Sequence, residues 1–98
     1  MKTFEEFWPH YMKNHSHPIN RKLHMLGTVS AFGMTISALL LQNYLMFVCA
    51  PLLAFSLAWL GHFAVERNTP AFLGHPVWSV RGELRMVRAE IRRLLLRN

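Results

Sequence analysis

Residues 23–65 contain no Asp, Glu, Lys or Arg, and the only consecutive strongly polar pair inside that block is Gln42-Asn43. The pair divides the block into apolar segments over 23–41 and 44–65, each near the roughly 20 residues a helix needs to cross a bilayer. The first is diluted by Thr28, Ser30, Thr35 and Ser37 and by Gly27 and Gly33. Such residues let backbones approach closely in lipid, so this helix is expected to pack against protein on one side. The second is richer in Leu, Phe and Trp and carries Pro51, tolerable in a membrane helix when neighbouring groups take up the freed carbonyl. A two-residue polar turn between them predicts an integral membrane helical hairpin with both flanks on one side.

The flanks have periodicities of their own. Phe4, Phe7, Trp8 and Tyr11 recur at helical spacing, which predicts a short amphipathic helix over 3–14 whose start is limited by Pro9 and which Pro18 closes into a turn. At the other end Val80, Leu84, Val87, Ile91 and Leu94 step by four and three, with Arg81, Arg85, Arg88 and Arg92 one position on. That pattern predicts a basic amphipathic helix over 77–97, suited to an anionic membrane surface or to packing on the rest of the domain. The fold class is therefore all-α, in a single membrane domain spanning 1–98.

Composition sharpens this picture. With 98 residues there is room for one domain, and 52% are apolar while charged residues are 16% and leave a net charge of +6. All eleven Lys and Arg and all five acids lie in the flanks. Lys13, Arg21, Lys22, Arg67, Arg93 and Arg97, together with the arginine stripe, put both termini on the cytoplasmic side by the positive-inside rule, at the inner membrane if the source is bacterial. No aromatic–basic reading motif points to nucleic acid. The lone Cys49 excludes an intrachain disulfide and thiolate metal sites. The N-terminal residues lack the basic-then-apolar order of a secretory signal. A helical pair buried inside a soluble oligomer is the competing interpretation, and two spans bury so little surface that a homo-oligomer fits either.

Six histidines stand among these residues: His10, His15, His17, His24, His62 and His75. His24 and His62 are equidistant in sequence from Asn43, so an antiparallel pair of helices places both imidazoles at one depth, just inside the interface. The same arithmetic brings Arg21 near Glu66. Glu66 follows His62 by four residues and shares its helical face if the helix continues that far. Imidazoles and a carboxylate on converging helices suit non-haem Fe(II) and other divalent metals, and an all-nitrogen set suits zinc. The same residues leave other interpretations open: a bis-histidine haem site on His24 and His62, a salt bridge from Glu66 to Arg21 or Arg67, or a non-catalytic membrane scaffold or lipid-binding module. His10, beside Pro9, reads as a surface residue.

The segments Phe7-Trp8-Pro9-His10-Tyr11, His15-Ser16-His17-Pro18-Ile19-Asn20-Arg21-Lys22-Leu23-His24 with Gly27-Thr28, and Gly61-His62-Phe63 with Glu66-Arg67-Asn68 and Pro70-Ala71 resemble the 2-hydroxy fatty acid dioxygenase family. The resemblance spans nearly the whole chain, and His75-Pro76, Trp78-Ser79 and Glu83 continue the pattern of its short members. It implies an integral membrane, Fe(II)-dependent dioxygenase of fatty acid alpha-oxidation, using molecular oxygen to remove one carbon from a long-chain 2-hydroxy acid without 2-oxoglutarate. On the matching positions His15, His24 and His62 are the implied iron ligands and Glu66 the implied catalytic acid, with His75 and His17 as additional ligands or supports. A 2-hydroxy carboxylate can chelate iron through its hydroxyl and one carboxylate oxygen, and Arg21 and Arg67 are expected to take the other oxygen, as guanidinium groups do.

Overall fold

A computed structural model describes residues 2–96; Arg97, counted above in the basic flank and the C-terminal helix, lies outside them. The described chain is all-helical. Its four α-helices are α1 (Phe4–Asn14), α2 (Pro18–Leu41), α3 (Tyr44–Leu60) and α4 (Pro76–Leu95), with a π-helical turn over Gly61–Glu66 and a 3-10 turn over Ala71–Leu73.

α1 starts where Thr3 caps it, the Thr3 hydroxyl accepting the N–H of Glu6, with Glu5 and Glu6 at the positive end of the helix dipole. Pro9 lies inside this helix rather than at its start. It removes one helical hydrogen bond, to the carbonyl of Glu5. Eleven residues do not make a stable helix in isolation. α1 is held by burying Phe4, Phe7 and Tyr11 in a cluster with Met86 of α4. Gly82 makes that packing possible, since a Cβ there would meet the Tyr11 ring at 3.2 Å.

Pro18 opens α2 instead of closing the preceding turn. It occupies the first helical position, where its missing N–H costs nothing, and His17 Nδ1 accepts the N–H of Ile19. The helix consequently begins five residues before the uncharged block does. At its other end Gln42 adopts the left-handed conformation (φ 52°) and the N–H of Asn43 reaches the carbonyl of Ala38 at 2.9 Å. Asn43 then caps α3 through Oδ1 to the N–H of Met46. The divide expected at Gln42-Asn43 is thus a C-cap followed at once by an N-cap. α2 and α3 pack together where Gly27 closes on Leu57 and Ala54, while a Cβ on Gly33 would touch nothing. Both helical stretches, Pro18–Leu41 and Tyr44–Glu66, are long and apolar enough to cross a membrane, and the chain itself buries only 17% and 11% of their most apolar windows. Neither is the core helix of this chain.

α4 is rotated from the expected stripe. Its buried residues are Ser79, Gly82, Met86, Val87 and Glu90, whereas Val80, Leu84 and Leu94 are about half exposed. The inward face lies largely one residue N-terminal to the apolar stripe, about 100° round the helix. Polar partners and the glycine set this rotation: Gly82 admits the Tyr11 ring, and Glu83 and Glu90 find hydrogen-bonding partners on the other helices.

Candidate metal centre

Three histidines from three different elements converge. His15 ends α1, His24 lies on α2 and His62 on the π-helical turn, all at 4% exposure or less. Their ring centroids are 4.4 to 5.0 Å apart, and one nitrogen from each falls within 4.8 Å of the others.

Each imidazole is oriented from behind. His15 Nδ1 lies 2.7 Å from the carbonyl of Tyr11, His24 Nδ1 2.6 Å from Glu83 Oε2, and His62 Nδ1 2.7 Å from Asn68 Oδ1. A carbonyl and a carboxylate only accept, and Asn68 donates its amide N–H to the carbonyl of Asn14, so its oxygen accepts too. All three Nδ1 atoms are therefore the donors, and in the neutral rings all three Nε2 atoms carry lone pairs. The Nε2 atoms of His15 and His62 face each other at 3.0 Å, and His24 Nε2 is buried without a partner among the described residues. Inward lone pairs with no proton among them are costly unless a cation joins them. Metal–nitrogen bonds of 2.0–2.1 Å in a tetrahedral set place ligand nitrogens about 3.3 Å apart, a spacing this cluster already approaches. The three histidines thus fit a metal ion.

Glu83 is the residue that joins the site to the fold. Besides His24 it accepts the hydroxyls of Tyr11 and Thr28, each at 2.9 Å, and so links α1, α2 and α4. Burial pushes its carboxyl upward, but the hydrogen bonds from His24 and the two hydroxyls outweigh burial and hold it below the usual carboxylate range. Burial, then the charge of Glu83, pushes the Tyr11 phenol well above its ordinary value, so it remains a donor. Burial, reinforced by His24, lowers His15 to about 3, keeping that imidazole neutral.

The other expected site residues lie elsewhere. Glu66 is outside the cluster, because the π-helical turn breaks the α-helical phase that would have stacked it on His62. It accepts the N–H of His17, the Asn20 amide and the Ser16 hydroxyl instead, tying the end of the turn to the start of α2. Gly61 allows this, since a Cβ there would overlap Asn20 Oδ1. Arg21 pairs with Glu90 at 3.0 Å, not with Glu66, and also donates to the carbonyls of His15 and Ser16. Arg67 is exposed and left-handed (φ 59°) at the end of the π turn. His17 caps α2, His10 is exposed, and His75 stacks on Trp78 with Phe7 against its edge. Tyr11, Asn68 and Glu83 take the supporting positions. In the sequence Glu83 is marked as an acid set among the arginines of the last helix and as a position that continues the family pattern, and neither mark assigns it to the histidines.

A cleft with roughly 610 Å³ of empty space, open mouth included, reaches the triad. Its closed end is marked by the buried Tyr11, His15, His24 and His62 with Glu83, and the rest of its lining includes Thr28, Ala54, Phe55, Ala58, Trp59, Phe72, Val80 and Leu84. No Lys or Arg lines it among the described residues. The guanidinium clamp expected of Arg21 and Arg67 is therefore not formed: Arg21 is engaged with Glu90 and two carbonyls, and Arg67 is outside the cleft.

Neither a curated protein nor a solved structure matches the chain. A family model, described as 2-hydroxy-palmitic acid dioxygenase Mpo1-like, matches residues 1–95. Over almost its entire length, histidine triad included, the chain belongs to the 2-hydroxy-palmitic acid dioxygenase Mpo1-like family.

Proposed function

We propose that this protein is an integral membrane, Fe(II)-dependent dioxygenase that shortens long-chain 2-hydroxy fatty acids by one carbon. The observation that carries the reading is the set of three inward Nε2 atoms, each oriented through Nδ1, at the closed end of an apolar cleft. In this reading α2 and α3 form a hairpin across the bilayer, both termini are cytoplasmic, and the apolar surface that the chain leaves uncovered meets lipid or a second copy of the chain.

His15, His24 and His62 would hold the ion. Bound there, ferrous iron would supply oxygen activation and Lewis acidity toward the 2-hydroxy acid. The Tyr11 carbonyl, Glu83 and Asn68 keep the three rings in one tautomer and one orientation, and the charge of Glu83 strengthens His24 as a donor. Burial of the triad keeps bulk water from its inner face. Overall, one 2-hydroxy acid and one O₂ give the acid one carbon shorter, CO₂ and water. The substrate loses the four electrons that O₂ gains, so neither 2-oxoglutarate nor an external reductant enters the balance.

A porphyrin between His24 and His62 is a poor alternative, because centroids 5.0 Å apart with rings at 86° leave no gap for a macrocycle. The test is to purify the protein in detergent without chelators, measure bound metal, and incubate it with 2-hydroxy-palmitic acid, Fe(II) and oxygen. Bound iron and formation of pentadecanoic acid with CO₂ support the reading. Absence of the shorter acid from iron-loaded protein would overturn it.

A further inference from the structure

The cleft is polar at one end and apolar at the other. At the closed end His15 is 1%, His62 2%, Tyr11 3% and His24 4% exposed, whereas at the mouth Phe55 is 38%, Trp59 37%, Leu84 48% and Val80 52% exposed. Phe55 and Trp59 belong to the second candidate membrane span, and Val80 and Leu84 to the apolar stripe that α4 turns away from the core. The rotation of α4 thus has a functional side: the stripe that does not pack inward forms one lip of the mouth.

We propose that the mouth between α3 and α4 opens sideways into the bilayer, and that a single-chain lipid reaches the triad head first while the far part of its tail stays among the membrane lipids. This rests on the function proposed above and specifies the route and the limits of selectivity for that substrate. The closed end offers the triad, the Tyr11 hydroxyl and Glu83, with no Lys or Arg among the described residues lining the cleft to hold a carboxylate, so the polar head is retained through a metal on the triad. Phe55 precedes His62 by seven residues, which at 1.5 Å per residue is about 10 Å along the helix. An extended chain advances about 1.2 Å per bond, so about eight carbons at most run from the triad to the far edge of the mouth at Phe55. Beyond that point the tail exchanges lipid for lipid, with no hydrophobic gain to register its length. The cleft therefore discriminates the first part of the chain and is indifferent to the far end. Phe55 and Phe72, edge to face at 5.0 Å, brace the mouth from α3 to the 3-10 turn and keep it narrow.

The experiment uses the full protein in lipid nanodiscs, loaded with zinc so that binding is read without turnover. 2-Hydroxy-palmitic acid is compared with analogues bearing a bulky fluorophore either at the terminal carbon or at about the sixth carbon. The terminal label is expected to leave affinity within about threefold of the unlabelled acid, and the inner label to weaken it on the order of tenfold or more. Leu84→Trp, which narrows the mouth, is expected to weaken the unlabelled acid on the order of tenfold while zinc content, measured separately, stays stoichiometric. Equal loss from both labels would show an enclosed tail and overturn the proposal. Equal tolerance of both, or no effect of Leu84→Trp with zinc retained, would show that the chain does not pass this mouth. If the parent acid fails to bind the zinc-loaded protein at all, the function reading itself fails and the route goes with it.

Discussion

Nδ1 of His24 lies 2.6 Å from Oε2 of Glu83, a residue 59 positions away in the chain and on another helix. The contact gives a histidine of the first candidate membrane span a fixed tautomer, and it anchors α4 to α2 at the level of the triad. Glu83 is consequently a positioning residue for the candidate metal centre and a structural joint between three helices.

Glu83→Gln removes the charge behind His24 but nearly preserves the shape. Second-layer partners of metal-bound histidines typically contribute 10- to 100-fold in metal affinity. Glu83→Gln is expected to weaken Co(II) or Zn(II) binding by about that factor, measured by competition with a chromophoric chelator. Unchanged affinity would remove Glu83 from the support of the site.

The triad and the remaining histidines should separate cleanly. His15→Ala, His24→Ala and His62→Ala are each expected to abolish stoichiometric metal binding, whereas His10→Ala should leave it intact because His10 is exposed and outside the cluster. Metal analysis of the purified variants decides, and retention of full metal content by any triad variant would break the three-nitrogen assignment.

Glu66 should behave as a structural residue. Its carboxylate accepts hydrogen bonds from Ser16, His17 and Asn20, and loss of such charge-assisted bonds costs about 1–3 kcal/mol. Glu66→Ala is expected to lower the thermal midpoint in detergent while the folded protein still binds metal. Complete loss of metal at an unchanged midpoint would instead restore Glu66 to the site.

The metal-free protein should lose stability in mild acid. Burial, reinforced by the neighbouring His24, lowers His15 from 6.5 to about 3. Between those values the unfolded state takes up the proton and the folded state does not, so the contribution of His15 is complete above pH 6.5 and declines as pH falls toward 3. The slope is about 1.4 kcal/mol per pH unit inside the window. Thermal midpoints of apoprotein measured across pH 7 to 5 should fall for the parent chain, and fall less for His15→Gln. A parent midpoint that is flat across this interval would contradict it.

Much of the architecture follows from local sequence. The uncharged block has the length of two membrane helices, Gln42 and Asn43 end one and begin the next, and symmetry about that turn brings His24 and His62 within 5.0 Å between ring centroids. Those features are set by hydropathy and capping over a few neighbouring residues. Tertiary structure alone decided which acid serves the triad. An uninterrupted α-helix would have stacked Glu66 on His62, but the π-helical turn over Gly61–Glu66 shifts the phase and sends Glu66 to the start of α2. The rotation of α4 delivers Glu83 in its place and directs Arg21 to Glu90. Neither event is local: the phase of a turn and the rotation of a helix depend on which buried polar groups find partners across the fold, and those partners here are 46 to 72 residues apart in the chain.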